Sequence, residues 1–255
     1  MSDFTISIAE LNIGISTLFT STKEYFRDYL TENPAGYSVT VTPEMLPFEQ
    51  AELDKEADEL GLRRRVFTEP FLERAAIMRE TAAIAVQNGT VLLHGSTVVL
   101  DGKAYLFTAK TGVGKSTHTR LWMEAFPGAR ILNDDRAFIR LGSPATAYGS
   151  PWSGKHGIHR NEKAVLSGIC ILERGNANKI RRIGTEDCFP EILAQMFLPA
   201  PELAPMLNEL TVRLLDTVPI WRMRCTREIS AAMTAHDAMG QDCCRGGCRG
   251  SADEL

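Results

Sequence analysis

The chain has 255 residues, 44% apolar and 24% charged, proportions that suit a globular protein with a full hydrophobic core. A net charge of −4 supplies no general field toward nucleic acid or an anionic membrane, so neither partner is expected and any anion site must be built locally. No stretch of 18 apolar residues marks a spanning helix, and the start Met1-Ser-Asp-Phe-Thr5 lacks the basic and apolar segments of a signal peptide; a cytoplasmic protein with free thiols is expected.

Phe4 to Ile8 and Tyr37 to Val41 alternate apolar and polar residues as half-buried strands do, with the turn residues Asn33-Pro-Ala-Gly36 between them. Glu49 to Leu60 is acidic and reads equally as a short helix or a solvated connection. A helix is predicted from Glu69 to Gln87, with Phe71, Ala75, Met78, Ala82 and Val86 on its apolar face and Asn88-Gly89 as its stop. Val91–His94 reads as a strand, and the apolar runs Val98–Leu100 and Ala104–Phe107 flank Asp101-Gly102, a strong hairpin signal because both turn residues tolerate positive φ.

Directly after that hairpin stand Ala109, Lys110, Thr111, Gly112, Val113, Gly114, Lys115, Ser116 and Thr117. A small residue, four variable residues and Gly-Lys-Ser/Thr form a phosphate loop when a strand precedes and a helix follows. Gly112 and Gly114 let successive N–H groups face inward, and the helix beginning at Lys115 adds its positive end. Lys115 supplies charge to the β- and γ-phosphates, and the Ser116 hydroxyl is a ligand for Mg²⁺. Ala109 replaces the more usual glycine, which an extended backbone tolerates.

The helix should run to about Ala125, followed by a strand Arg130–Asn133 that closes on Asp134 and Asp135, 19 and 20 residues after Lys115. Carboxylates at that place hold metal or accept a proton, and the pair allows both roles. Arg136 either balances phosphate charge or pairs with the aspartates, and Ala137–Ile139 continues as a strand or hairpin. Gly149 to Gly157 is either a surface loop or a substrate segment in which Lys155 meets phosphate and Trp152 lines a pocket. Ser167–Leu172 and Ile220–Cys225 read as strands; Asp187–Phe197, Pro201–Leu214 and Thr226–Met239 read as helices, the last capped by Thr226. Residues 241–255 form a Cys/Gly/Arg tail without periodicity, expected to be flexible, whose Cys243, Cys244 and Cys248 are too few for a closed zinc site.

His94-Gly95, the Asp101-Gly102 hairpin, Thr111–Ser116 and Asn133-Asp134-Asp135 follow one another in a way that resembles the catalytic domain of HPr kinase/phosphorylase. That family shares its core with the ATP-dependent phosphoenolpyruvate carboxykinases. The resemblance covers residues 90 to 175, about a third of the chain. It implies a mixed α/β (α+β) fold, with a carboxykinase-like mixed β core, flanking helices and a phosphate loop. It also implies ATP, Mg²⁺ and transfer of a phosphoryl group to a hydroxyl, with serine the family's acceptor. Lys115 and Ser116 would hold phosphate and metal, Asp134 would accept the proton, Asp135 would sit in the metal shell, and His94 would lie near the phosphates. The family's Glu-x-Arg-Gly-Leu-Gly signature is not found, Glu173-Arg174-Gly175 being its nearest echo. The acceptor is therefore open among peptide, protein and small molecule; a nucleotide-driven ATPase or switch is the alternative, and a homo-oligomer is compatible with the resemblance. The expected division is a β-rich N-terminal lobe with a connecting helix at 1–89, a catalytic domain at 90–240 and the tail at 241–255.

Overall fold

The computed structural model describes residues 2–110 and 112–245. Strands β1 (Ser2–Ile8) and β2 (Leu11–Thr17) form an antiparallel hairpin turning at Ala9 and Glu10, both with positive φ, and β3 (Tyr37–Thr40) adds to β2 in parallel. Between β2 and β3 lie the short α1 (Ser21–Tyr25) and a 3-10 turn, Arg27–Tyr29. Residues Leu11, Ile13 and Ile15 alternate into the core, as a one-faced sheet requires. Two helices follow, α2 (Met45–Glu59) and α3 (Glu69–Gln87). The acidic segment that the sequence left undecided is thus a helix.

Helix α3 has the predicted bounds but a shifted face. Leu72, Ala76, Ile77, Ala82, Ala85 and Val86 are buried, whereas Phe71 is 38% exposed and stacks on Phe67 at 4.6 Å. Glu73 is wholly buried in this helix and receives the backbone N–H groups of Leu18 and Phe19 and the Thr22 hydroxyl. One carboxylate thereby fastens the end of β2 and α1 to α3; a periodicity argument, which places charges outside, misses it.

The second sheet holds β4 (Thr90–His94), β5 (Ser96–Leu100), β6 (Lys103–Thr108), β7 (Arg130–Asn133), β8 (Arg136–Arg140), β9 (Thr146–Tyr148), β10 (Lys163–Arg174), β11 (Lys179–Ile183) and β12 (Ile220–Cys225). Its order among the described residues is β4-β8-β9-β10-β6-β5-β7, with β12 also on β10 and β11 outside it. Only β10 pairs in parallel, with β6 and with β12. Buried without interruption from Leu166 to Leu172, β10 is covered on both faces, which is why it reads as an apolar run rather than an alternation. On one face Leu106, Ile169 and Ile171 pack against α5 (Thr185–Leu193) and α6 (Ala204–Thr217); on the other Tyr105, Phe107 and Leu172 pack against α4 (Lys115–Ala125) and α7 (Ile229–Arg245).

Several expected bounds change. Strand β8 is not the second half of a hairpin with β7: β7 pairs with β5 and β8 with β4. Helix α5 stops at Leu193, and the chain then runs beside β4, where Phe197 N–H donates to Leu92 O at 2.9 Å. Helix α7 starts at Ile229, not Thr226, and continues to Arg245, so the first residues of the expected tail are helical. The rest of that tail, with Cys248, lies outside the described residues.

The N-terminal sheet and the second sheet share one core. Phe26, just after α1, meets Trp152 at 5.7 Å, Trp152 meets Phe138 at 6.2 Å, and the indole N–H donates to Arg74 O of α3 at 3.0 Å. Trp152→Ala should lower the unfolding free energy by roughly 3–5 kcal/mol. Trp152→Phe, which keeps the ring but not the donor, should cost less; urea titrations followed by circular dichroism check both.

Candidate active site

Strand β6 ends at Thr108, whose hydroxyl donates to His94 O at 2.8 Å and so ties the entrance of the glycine-rich loop to the end of β4. Ala109 is buried, Gly112 and Gly114 have φ of +81° and +129°, and Val113 N–H closes a turn on Lys110 O at 3.2 Å. Thr111 lies outside the described residues. Gly114 caps α4 with no side chain, leaving the first-turn N–H groups open to an anion. Arg174, at the end of β10, donates to Gly112 O at 2.5 Å and approaches Val113 O at 3.5 Å. A planar trans peptide sets N–H opposite C=O, so a carbonyl held by Arg174 turns the following amide away from it. The weak echo of a family signature at Glu173-Arg174-Gly175 is therefore a brace for the loop.

Lys115 is half-buried with its ammonium on Ala109 O at 3.1 Å. Burial lowers its pKa, and the nearby charge of Asp135 works in the other direction. Ser116 is exposed at the first turn of α4, while Thr117 is half-buried. A buried bond from the Ser96 hydroxyl to Thr119 fixes α4 on β5.

The aspartates stand where β7 gives way to β8. Asn133, the last residue of β7, is wholly buried: its amide donates to Ser150 O at 2.9 Å, and its carbonyl oxygen accepts from Asp135 N–H at 2.8 Å and Arg136 N–H at 2.6 Å. This side-chain turn sends the two carboxylates to different neighbours. Asp134 is buried and accepts Gly154 N–H on Oδ1 at 2.6 Å; its other oxygen has no hydrogen bond among the described residues. Asp135 lies between His94 Nε2, at 3.3 Å, and Arg136 Nε, at 3.6 Å. Burial acts to raise its pKa, but the hydrogen bond from His94 and the charges of His94, Arg136 and Lys115 outweigh it, and the carboxyl stays below the usual range.

His94, Lys115, Asp135 and Arg136 are thus brought together, with Asp134 adjacent. Trp152 is not: expected at a pocket, it is a core residue, because its ring completes the seam described above and its N–H is already used. Lys155 is exposed in the turn closed by Gly157 N–H on Gly154 O. What the Gly149–Gly157 segment contributes instead is backbone: Gly154 donates its N–H to Asp134 Oδ1, and a Cβ on Gly149 would land on the Arg160 carbonyl oxygen. Thr108, Ser150 and Gln195, whose carbonyl takes His94 N–H at 2.9 Å, also serve the site; the glycine and serine content of 149–157 could have signalled Ser150, and nothing in the sequence signals the other two.

The residues fit a nucleoside triphosphate and Mg²⁺. The loop exposes amides beside one half-buried ammonium, and an ionised carboxylate lies near it, the hard oxygen donor Mg²⁺ takes alongside phosphate. No group of three or more His, Cys, Asp or Glu with metal-holding geometry occurs among the described residues. Among the described residues, no helix is long and apolar enough to cross a membrane.

No protein-family profile matches the chain, and no curated protein matches it. Among solved structures it is similar to the Hpr(Ser) kinase/phosphatase from Coxiella burnetii, at 9% identity over 61% of this chain and 99% of that one, with a TM-score of 0.37. A likeness that loose carries no functional weight, and the site geometry has to stand by itself.

His118 of α4 lies beneath the loop, 2% exposed, and accepts Trp122 Nε1–H at 3.2 Å. Burial depresses its pKa to about 4, so the folded protein keeps it neutral while the unfolded chain takes up a proton near pH 6.5. Stability from this residue is therefore full above pH 6.5 and is lost as pH falls toward 4, by roughly 3 kcal/mol. Urea midpoints measured from pH 7.5 to 4 should fall more steeply for the native protein than for His118→Gln.

Proposed function

We propose that the chain is an ATP- and Mg²⁺-dependent phosphotransferase, an HPr-kinase-like kinase that moves the γ-phosphoryl group to a hydroxyl, serine being the acceptor the family resemblance suggests. The observation that supports this best is the convergence of Lys115 and the open start of α4 on the same space as Asp135, with Asp134 beside it. A bare phosphate-binding loop needs only the first of these features.

Loop amides and Lys115 bind and orient the triphosphate, and Arg174 keeps the loop in shape from behind. Asp135, held ionised, and Ser116 would hold Mg²⁺, which neutralises charge on the phosphates. Asp134 has one oxygen fixed by Gly154 and the other open, so it can take the acceptor's proton without first breaking an ion pair. The new bond forms between the acceptor oxygen and the γ-phosphorus; the bond from that phosphorus to the bridging oxygen breaks, and its electron pair leaves with ADP. His94 and Arg136 position Asp135 rather than reacting themselves.

Lys115→Ala should weaken Mg²⁺–ATP binding by about 10²-fold or more, measured by titration calorimetry. Asp134→Asn should bind ATP as the native protein does but lose about 10²–10⁴-fold in transfer of γ-labelled phosphate to an acceptor. Transfer that survives Asp134→Asn would remove that residue as the base. Label released only as free phosphate from every acceptor tried would leave an ATPase.

A further inference from the structure

A cavity of about 270 Å³ lies between α2, α3 and the segment 194–198. Its inner end is formed by His94 and Arg136, the two side chains that hold Asp135, and its floor by Met78 and Phe197. It therefore reaches the two side chains that pair with Asp135.

The outer wall is α2. Glu52, Glu56 and Glu59 line the cavity at i, i+4 and i+7 spacing, one face of the helix. Among the described residues their carboxylates have no hydrogen bond or ion pair, whereas Asp58 of the same helix is paired with Arg64 and Glu49 with Arg79. This wall works against the helix that carries it. Like charges four residues apart repel, the last turn holds no basic residue, and Glu56 and Glu59 stand at the negative end of the helix dipole. Lys55, the one basic residue of α2, also lines the cavity, and its single positive charge does not balance three acids. A positively charged occupant would relieve each of these repulsions.

Resting on the phosphotransferase reading above, we propose that this cavity is the acceptor site and that the acceptor hydroxyl belongs to a basic peptide segment. The hydroxyl enters past His94 and Arg136 to the aspartates, and flanking Lys or Arg side chains lie against Glu52, Glu56 and Glu59. A peptide fits better than a small molecule because the acidic strip extends about 10 Å along α2, the length of about three extended residues.

The test uses the full chain with Mg²⁺ and a non-hydrolysable ATP analogue. Fluorescein-labelled octapeptides carry one serine flanked either by lysines or, otherwise identically, by glutamates. The lysine peptide should bind the native protein at least about tenfold more tightly than the glutamate peptide, and more weakly as salt rises. The triple substitution Glu52→Gln/Glu56→Gln/Glu59→Gln should remove that preference, and the triple Glu→Lys should reverse it, with circular dichroism melts showing both variants folded. With ATP in place of the analogue, the Gln variant should raise KM for the lysine peptide and leave kcat and the KM for ATP unchanged. Equal binding of the two peptides, or a preference that survives the triple substitution, would overturn the acceptor assignment while leaving Lys115-dependent ATP binding intact. Charge-selective binding without any phosphoryl transfer would instead overturn the kinase reading and keep the basic-peptide site.

Discussion

The buried side chain of Asn133 is the constraint on which the site depends. Its carbonyl oxygen caps the N–H groups of Asp135 and Arg136, and its amide is satisfied by Ser150 from a segment far along the chain. No side chain of another shape supplies a donor and an acceptor at that spacing inside the core, and an unmet backbone N–H there would be costly. The same turn separates β7 from β8, sending one to β5 and the other to β4, so the aspartates lie at a break in the sheet rather than along a strand. Their divergence follows from this: Asp134 turns to Gly154, and Asp135 to His94 and Arg136.

Around that turn the molecule uses backbone contacts to place charged groups. Thr108 joins the loop entrance to His94, Gln195 holds the same histidine's N–H, and Arg174 holds the loop carbonyls. Each contact fixes the backbone at one edge of the candidate site.

The loop, its helix and the strand before Asp134 were legible in the sequence because local rules govern them: glycine where φ is positive, Asp101-Gly102 at a tight turn, an apolar strand closing on acids. Helix α3 was legible in extent but not in facing, since Glu73 and Thr81 are buried while Phe71 is exposed, and no periodicity signals a buried carboxylate with distant partners. Trp152 was misread for a related reason. An aromatic in a Gly- and Ser-rich segment looks like a pocket lining until the N-terminal sheet that covers it is in view. Gln195 and Ser150 act through contacts of long sequence separation, which no local pattern records.

Trp152 also bears on how such a chain can change over time. Phe138, Tyr148 and Trp152 form a socket on the second sheet into which the N-terminal strands and α3 fit. A different N-terminal module could replace this one only by presenting a matching apolar face, because the bare socket would attract other chains rather than water. The two sheets are therefore bound to vary together, and Gly154, two residues beyond the socket's tryptophan, carries any shift in that seam straight to Asp134.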